Sequence, residues 1–189
     1  MMRSTMDDEP LQTFDTSGNP TGLAPRSRVH REGLWHRAAN VFVFRSDGRL
    51  IVQRRQSNKD VCAGAWDLSV AEHLKPGETY EEGARRGLRE ELGVTDVVVE
   101  TLGGIWRAQL DMPQLGLRDY ELQQCFRGVF DGELRPNVDE VSEASTFDLD
   151  DLGIAFSERP DEFTPWFRES ALRLGLVRVQ PETSVVSGR

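Results

Sequence analysis

The amino-acid sequence predicts an α/β protein in which a mixed β-sheet is sandwiched between helices. Two β-rich runs at residues 38–44 and 50–53 are joined by a Ser-Asp-Gly turn, which predicts a hairpin. A short helix with both ends marked follows near residues 79–93, and a second helix begins at Thr164 and Pro165. Strands interleaved with one central and one closing helix are typical of a sheet covered on both faces.

The remaining elements indicate a single domain at residues 11–176. A small hairpin is predicted at residues 11–22, and residues 29–37 are predicted to form a loop that carries two of the three histidines. Residues 1–10 are expected to be a disordered tail, and residues 177–189 a C-terminal tail. The other predicted elements are strands at 97–102, 104–108, 120–130 and 140–147, a loop at 111–118, a helical turn at 148–152 and a closing helix up to residue 174.

Charge and cysteine content argue against several classes of function. The net charge of -9 argues against broad nucleic-acid binding and against attachment to an anionic membrane. It leaves room for a phosphorylated small molecule, because local basic residues around a bound cation can handle that charge. Cys62 and Cys125 lie far apart without metal-ligand spacing, which fits a reducing compartment. Without an apolar run of membrane-spanning length or a signal-peptide core, the cytoplasm is the expected location.

The central helix carries the strongest chemical signal. Thr79 can cap its N-terminus, Glu82 completes a capping box, and Gly93 is placed to end it in a left-handed turn. Glu90 and Glu91 are adjacent carboxylates, which suit a hard cation such as Mg²⁺. The alternative interpretation is a solvated acidic helix.

Residues 72–94 resemble the Nudix box of diphosphate hydrolases. That box runs Gly, five residues, Glu, seven residues, Arg-Glu-apolar-x-Glu-Glu-x-Gly-apolar. Two positions depart from it, since Glu72 stands in place of the first glycine and Gly87 in place of a metal-binding glutamate. The resemblance implies the Nudix fold, an α/β/α sandwich, and metal-dependent cleavage of a diphosphate linkage. The residues in register with the box are Glu78, Arg86, Leu88, Glu90, Glu91, Gly93 and Val94.

Over residues 11–176 the chain looks most like the Nudix branch that includes isopentenyl-diphosphate isomerases and their hydrolase-like relatives. The shared segments lie at 34–38, 53–55 with Lys59, 66–70, 106–107, 119–121 and 163–166. This resemblance implies three kinds of site residue: metal ligands His36, His73 and Glu121, diphosphate-binding residues Arg55 and Lys59, and Trp166 near a developing carbocation.

Basic and aromatic residues are assigned to the substrate pocket, each with a structural alternative. Because side chains alternate along a strand, only one of Arg54 and Arg55 can face the cleft, and we favour Arg55. An exposed basic strand end is the alternative. Trp106 and Trp166 are assigned to an apolar wall beside the diphosphate, although tryptophans at such positions also serve as core residues.

The resemblance to the hydrolases implies catalytic roles for three residues of the central helix. Glu91 is the first choice of metal ligand and Glu90 the second, while Arg86 is expected to orient Glu90 across one helical turn. Carboxylates alone suit Mg²⁺ or Mn²⁺. A site that includes His36 and His73 suits Zn²⁺ or a transition metal better. His30 is the weakest histidine, because its spacing to His36 differs by one residue from the isomerase pattern.

Two departures leave three hypotheses open. Ala71 stands where the isomerases have a cysteine that moves a proton, and Cys62 cannot be assumed to replace it. Gly87 removes one expected carboxylate, which either erodes the metal site or moves a ligand to another segment. The leading hypothesis is a hydrolase of a small diphosphate compound, such as a nucleoside diphosphate derivative or an isoprenoid diphosphate. The alternatives are an isomerase acting on isopentenyl diphosphate and a non-catalytic protein that binds a diphosphate metabolite. A homodimer is compatible with the resemblance.

Overall fold

A computed structural model describes residues 8–178 of the chain. Of the tails expected at residues 1–10 and 177–189, residues 1–7 and 179–189 lie outside the described residues. Residues 8–10, expected to be disordered, are part of the fold, since the Asp8 carboxylate accepts hydrogen bonds from the backbone and the hydroxyl of Ser27 at 2.8 and 2.6 Å and β1 begins at Pro10. No helix within residues 8–178 is long and apolar enough to cross a membrane.

The strands form a hairpin and a mixed sheet. Strands β1 (Pro10–Phe14) and β2 (Pro20–Pro25) pair antiparallel, as the sequence predicts. The main sheet has the order β5-β4-β3-β8-β7, with β6 paired to β3 and β9 to β4. Strands β3 and β8 are parallel, and every other pairing in this sheet is antiparallel. The strands of this sheet are β3 (His36–Phe44), β4 (Leu50–Arg55), β5 (Trp66–Asp67), β6 (Val70–His73), β7 (Glu100–Met112), β8 (Leu117–Val129) and β9 (Val141–Phe147).

Helices cover both faces of this sheet. Helix α2 (Tyr80–Leu92) buries Ala84, Leu88 and Leu92 against valines and Ile51 of the sheet. Helices α3 (Leu149–Glu158) and α4 (Pro165–Arg173) pack on the second apolar cluster, which contains Phe42, Phe156 and Phe167. Helix α1 (Arg26–Glu32) connects the hairpin to β3. The predicted α/β sandwich is therefore confirmed.

Four local predictions differ from the structure. Residues 29–32 belong to helix α1 instead of the loop expected at 29–37, because Asp8 from outside this segment holds the first turn of the helix. The separate strands expected at 97–102 and 104–108 are one strand, β7, with a bulge between Leu102 and Trp106. Thr164 precedes α4 without capping it, because its hydroxyl donates instead to the Asp67 carboxylate at 2.8 Å. Helix α3 also runs beyond the single turn predicted at 148–152.

Candidate functional site

One cavity with two connected parts brings together most of the predicted site residues. The parts share Arg26, Arg55, Ala71, Glu72 and His73 as lining residues. The first part is further lined by His30, Asp119, Glu121 and Trp166. The second part is further lined by Lys59, Glu90, Glu91 and Glu140.

The first part contains a histidine–acid cluster, which we define as His30, His36, His73, Asp119 and Glu121. The parallel register of β3 and β8 places His36 opposite Glu121, and the antiparallel register of β3 and β6 places His73 opposite Ala38. One ligand atom from each of the three histidines and Asp119 lies within 4.8 Å of the others. The cluster therefore includes Asp119 and also His30, the histidine that the sequence supported least as a site residue.

The side chains of this cluster lie close together, but two of their buried polar atoms have no hydrogen-bond partner among the described residues. The His73 Nε2 atom lies 3.1 Å from Glu121 Oε1, and the His36 Nε2 atom lies 3.4 Å from Asp119 Oδ1. The His36 Nδ1–H group donates to the Leu34 carbonyl at 3.0 Å, which leaves the Nε2 lone pair for another partner. Both His36 Nε2 and Asp119 Oδ1 are buried without a hydrogen-bond partner among the described residues. Such orphaned buried groups mark a place where a ligand can bind.

Burial controls the charge of this cluster. Burial, followed by the neighbouring His73, lowers the pKa of His36 to about 4, and burial followed by Arg26 lowers the pKa of His73 to about 3. Both imidazoles are thus neutral near pH 7, which is the form that coordinates metal ions. Burial and the adjacent Asp119 raise the pKa of Glu121 to about 7.

The second part contains a helix carboxylate cluster, which we define as Glu72, Glu90 and Glu91 with Arg86. Arg86 lies 3.0 Å from the Glu72 carboxylate and 3.3 Å from that of Glu90, so the predicted pair with Glu90 forms. The Glu91 carboxylate accepts a hydrogen bond from the Gln53 side chain. Burial, followed by the charge of Glu72, raises the pKa of Glu91 well above its usual value.

Glu78 has a different role from Glu72, Glu90 and Glu91, and it is not among the residues that line the cavity. One of its oxygens accepts from Arg86 at 2.8 Å, and the other accepts from the backbone of Lys75 at 2.7 Å. These bonds close the loop before α2.

A buried aspartate organises the substrate-binding residues predicted around Arg55. The fully buried Asp67 carboxylate accepts from Trp166 Nε1 at 2.8 Å and lies 3.3 Å from Arg55 Nη1. The Arg55 guanidinium lies over the Trp166 ring, 5.2 Å from its centre. Arg54 points away from the cavity and covers Trp66 instead. The structure therefore joins Arg55 and Trp166 in one network.

Two further basic residues line the cavity. Lys59 lies in the second part, where its ammonium pairs with Glu140. Arg26, at the start of α1, lines both parts, and its buried Nε has no partner within residues 8–178. Sequence reasoning missed Arg26, because its segment carried no helix signal that would have aimed it at the site.

The structure separates Trp106 from the cavity. Trp106 belongs to the apolar cluster under α3 and α4, and the Arg173 guanidinium covers its ring at 5.2 Å. The bulge in β7 shifts its register on β8, where Trp106 pairs with Gln123. The predicted role of Trp106 in substrate binding is therefore wrong, and the core interpretation holds.

Ala71, which the sequence resemblance sets against the isomerases' cysteine, forms part of the cavity wall and carries no thiol. Ala71 on β6 lines both parts of the cavity. None of the described lining residues is a cysteine. Cys62 lies in the loop after β4 and Cys125 in the core under α4, so neither replaces the missing thiol in this cavity.

The donor sets of the two clusters fit divalent cations. Neutral imidazoles with an orphaned His36 nitrogen suit Zn²⁺ or a transition metal, whereas the oxygen donors of Glu90 and Glu91 suit Mg²⁺ or Mn²⁺.

Comparison with known proteins identifies the class of protein that this fold and cavity define. The NUDIX domain family model matches residues 34–167. The chain therefore belongs to the Nudix family.

Its relatives place it beside a particular branch of that family. The chain is 36% identical to isopentenyl-diphosphate Delta-isomerase 2 of Photorhabdus laumondii, over 86% of this chain and 90% of that protein. It is 37% identical to an uncharacterized Nudix hydrolase of Pseudomonas aeruginosa, over 75% of this chain and 80% of the relative. A solved structure from Deinococcus radiodurans shares the fold with a TM-score of 0.67 and 23% identity, covering 88% of this chain and 99% of that one. The predicted resemblance to both the isomerases and the hydrolases is confirmed.

Proposed function

We propose that this protein is a divalent-metal-dependent hydrolase of a small diphosphate compound, either an isoprenoid diphosphate or a nucleoside diphosphate derivative. One observation carries the proposal: the cavity places Glu90 and Glu91 beside Arg55 and Lys59, and no cysteine is among its described lining residues. Carboxylates, basic groups and water suffice for hydrolysis, whereas the isomerases' proton shift requires an acid–base residue at the position of Ala71.

The residues divide the work of such a reaction. Mg²⁺ or Mn²⁺ at Glu91 would neutralise charge on the diphosphate and on the leaving phosphate. Arg26, Arg55 and Lys59 supply positive charge for the diphosphate oxygens, since each lines the second part of the cavity. Glu90 is exposed on the helix surface and is suited to accept a proton from the attacking water. Water then bonds to one phosphorus as the bond from that phosphorus to the bridging oxygen breaks.

A second candidate function is isomerisation of isopentenyl diphosphate. It is favoured by the names of the relatives and by the histidine–acid cluster, which lies beside Trp166 in the first part of the cavity. Ala71 opposes it, because an alanine side chain cannot donate or accept the proton that the reaction moves.

One experiment separates these functions. Isopentenyl diphosphate and a panel of nucleoside diphosphate derivatives are incubated with the protein in D₂O, with Mg²⁺, Mn²⁺ or Zn²⁺. Phosphorus NMR detects phosphate or monophosphate release, and deuterium NMR detects exchange into the carbon skeleton. We expect release without deuterium exchange. Exchange by the native protein would establish the isomerase function, and tight binding without either reaction would indicate a binding protein.

The Ala71→Cys variant sharpens this test. If the rest of the isomerase site is present, A71C gains deuterium exchange into isopentenyl diphosphate, because it places a thiol in the cavity. Ala71→Ser is the matched control, since it adds a side chain of similar size whose hydroxyl is a much weaker acid. Equal behaviour of A71C and A71S would mean that the histidine–acid cluster does not support isomerisation.

A further inference from the structure

The Glu72 side chain on β6 lies against Gly87 on α2, in the space that a side chain at position 87 would need. A Cβ atom added at Gly87 would lie 3.2 Å from Glu72 Cβ and 3.5 Å from Glu72 Cγ. It would also lie 2.5 Å from Val70 Cγ1, which is closer than real side chains approach. Val70 and Glu72 thus leave no room for a side chain at position 87, so only glycine fits there. This glycine costs the helix about 1 kcal/mol relative to alanine. The bare helix surface is what allows the Glu72 side chain to lie against α2.

The Glu72 carboxylate is aimed at the cavity and held there. Its Oε2 atom lies 3.0 Å from Arg86 Nη1, and its side chain is 20% exposed. It lines the same part of the cavity as Glu90 and Glu91. Arg86 therefore connects the strand carboxylate to Glu90, which lies 3.3 Å from the same nitrogen.

We propose that Glu72 and Gly87 are a reciprocal exchange that moves one metal-binding carboxylate from helix α2 to strand β6. The box pattern expects a glycine at position 72 and a glutamate at position 87, and this chain carries the two residue types in the opposite places. Glu72 then completes a set of three carboxylates with Glu90 and Glu91. The metal site is relocated rather than eroded, which removes the main objection that Gly87 raised. The inference rests on the metal dependence of the proposed function.

Direct cation binding tests the exchange without any substrate. Mn²⁺ binding is measured by electron paramagnetic resonance on the full chain carrying His36→Gln, which removes one member of the histidine–acid cluster and so reduces its contribution. We expect Glu72→Gln to weaken Mn²⁺ binding at least about tenfold, because a cation ligand loses its charge. Circular dichroism and thermal melting establish that each variant is folded.

Glu78→Gln is the matched control. Glu78, like Glu72, accepts from Arg86, with both of its oxygens at 2.8 and 2.9 Å, but its Oε2 also accepts from the Lys75 backbone and the residue does not line the cavity. We expect E78Q to keep its Mn²⁺ affinity within about threefold, because an amide oxygen can still accept from Arg86. If E72Q and E78Q weaken binding equally, Glu72 acts only through Arg86 and the exchange is overturned.

Moving the carboxylate back tests the reciprocity. Because Val70 would obstruct a side chain at position 87, the comparison uses Val70→Ala. We expect V70A/E72G to lose Mn²⁺ affinity and V70A/E72G/G87E to regain it to within about threefold of V70A. A folded triple variant that fails to regain affinity overturns the exchange.

The outcomes also separate this inference from the proposed function. Mn²⁺ binding that E72Q leaves unchanged overturns the exchange, while metal-dependent hydrolysis stands. If neither the H36Q parent nor the native chain binds Mn²⁺, both the exchange and the metal-dependent hydrolysis are overturned.

Discussion

The two clusters of the cavity solve the problem of burying charge in different ways. The histidine–acid cluster draws on α1, β3, β6 and β8, and its central His36 is 1% exposed. Burial keeps the pKa of His36 and His73 low, so these imidazoles are neutral donors. Asp119 is the ionised member, because the opposing effect of burial is outweighed by the hydrogen bond from His30 and its neighbouring histidines, which lower its pKa to about 2. The helix carboxylate cluster instead draws on α2 and β6 and places Arg86 among its acids. The buried histidines of one cluster stay neutral, whereas Arg86 compensates the carboxylates of the other.

Because their donor atoms differ, the two clusters are suited to hold different ions. Neutral imidazoles select softer ions such as Zn²⁺, since they offer nitrogen donors at little electrostatic cost. Carboxylates with raised pKa values, such as Glu91, gain most from a cation that favours their ionised forms. The chain therefore combines two different donor sets in one cavity. Loss of each cluster is expected to have a distinct effect.

The largest expected effect is that of Glu91→Gln on hydrolysis. Removing this carboxylate is expected to lower kcat at least about a hundredfold, because the cation loses a charged ligand beside the diphosphate. His36→Gln is the comparison variant, and we expect it to change the metal preference of the reaction more than its rate with Mg²⁺. Steady-state phosphate release with Mg²⁺, Mn²⁺ and Zn²⁺ measures both effects. A larger loss in H36Q than in E91Q with Mg²⁺ would move the hydrolytic centre to the histidine–acid cluster.

The next effect is the pH dependence of stability without metal. The folded pKa of His36 is about 4, below its ordinary value of 6.5, so the unfolded chain binds more protons between these values. The free energy of unfolding therefore falls as pH drops from 6.5 to 4, with a contribution of the order of 3 kcal/mol from His36. Urea unfolding in EDTA at pH 7 and pH 4 measures it.

His36→Gln is expected to lose that contribution. Glu121 works in the opposite direction, because its raised pKa of about 7 makes stability fall as pH rises from its ordinary 4.5. Glu121 is present in both proteins, so the difference between their pH profiles reports mainly on His36. Identical profiles for the native protein and H36Q would show that His36 does not titrate as its burial requires.

The sequence predicted the helix carboxylate cluster better than the histidine–acid cluster, because the first depends mainly on local signals and the second on contacts between distant segments. The helix carboxylate cluster was largely predicted, because Thr79, Glu82 and Gly93 mark the helix locally and the box fixes its register. The contact of Gly87 with Glu72 could not be predicted, since it depends on how β6 packs against the helix. A one-dimensional pattern shows both departures but not that they touch.

The residues that were missed or misplaced depend on distant contacts. Arg26 lies on a helix whose first turn is held by Asp8, so the local pattern gave no helix signal at this position. Trp106 follows Gly103 and Gly104, which made one bulged strand resemble two short ones. Its burial under Arg173 then depends on where α4 packs. Local sequence carries no signal for either arrangement.

A smaller effect is expected from Asp67→Asn, which tests the network between the two clusters. Asp67 holds both Arg55 and Trp166, so the variant is expected to raise KM for the diphosphate about tenfold while kcat changes less than about threefold. Arg54→Gln is the matched control, because Arg54 lies next to Arg55 on β4 but outside the cavity. Steady-state kinetics measures both. A fall in kcat with unchanged KM would mean that Asp67 does not position the substrate-binding residues.

The smallest expected effect concerns how each cluster is held in place. Thr79 and Glu82 form the capping box of α2, in which the Glu82 carboxylate accepts from the Thr79 backbone at 2.7 Å. Thr79→Ala is expected to lower the melting temperature by about 3 °C and to speed hydrogen exchange in the first turn of α2. Thr95→Ala, in the loop after the helix, is the control. Because the histidine–acid cluster has no member on α2, its Zn²⁺ affinity should stay within about twofold in T79A. A larger loss would mean that the two clusters are coupled through β6, and that the helix caps serve both.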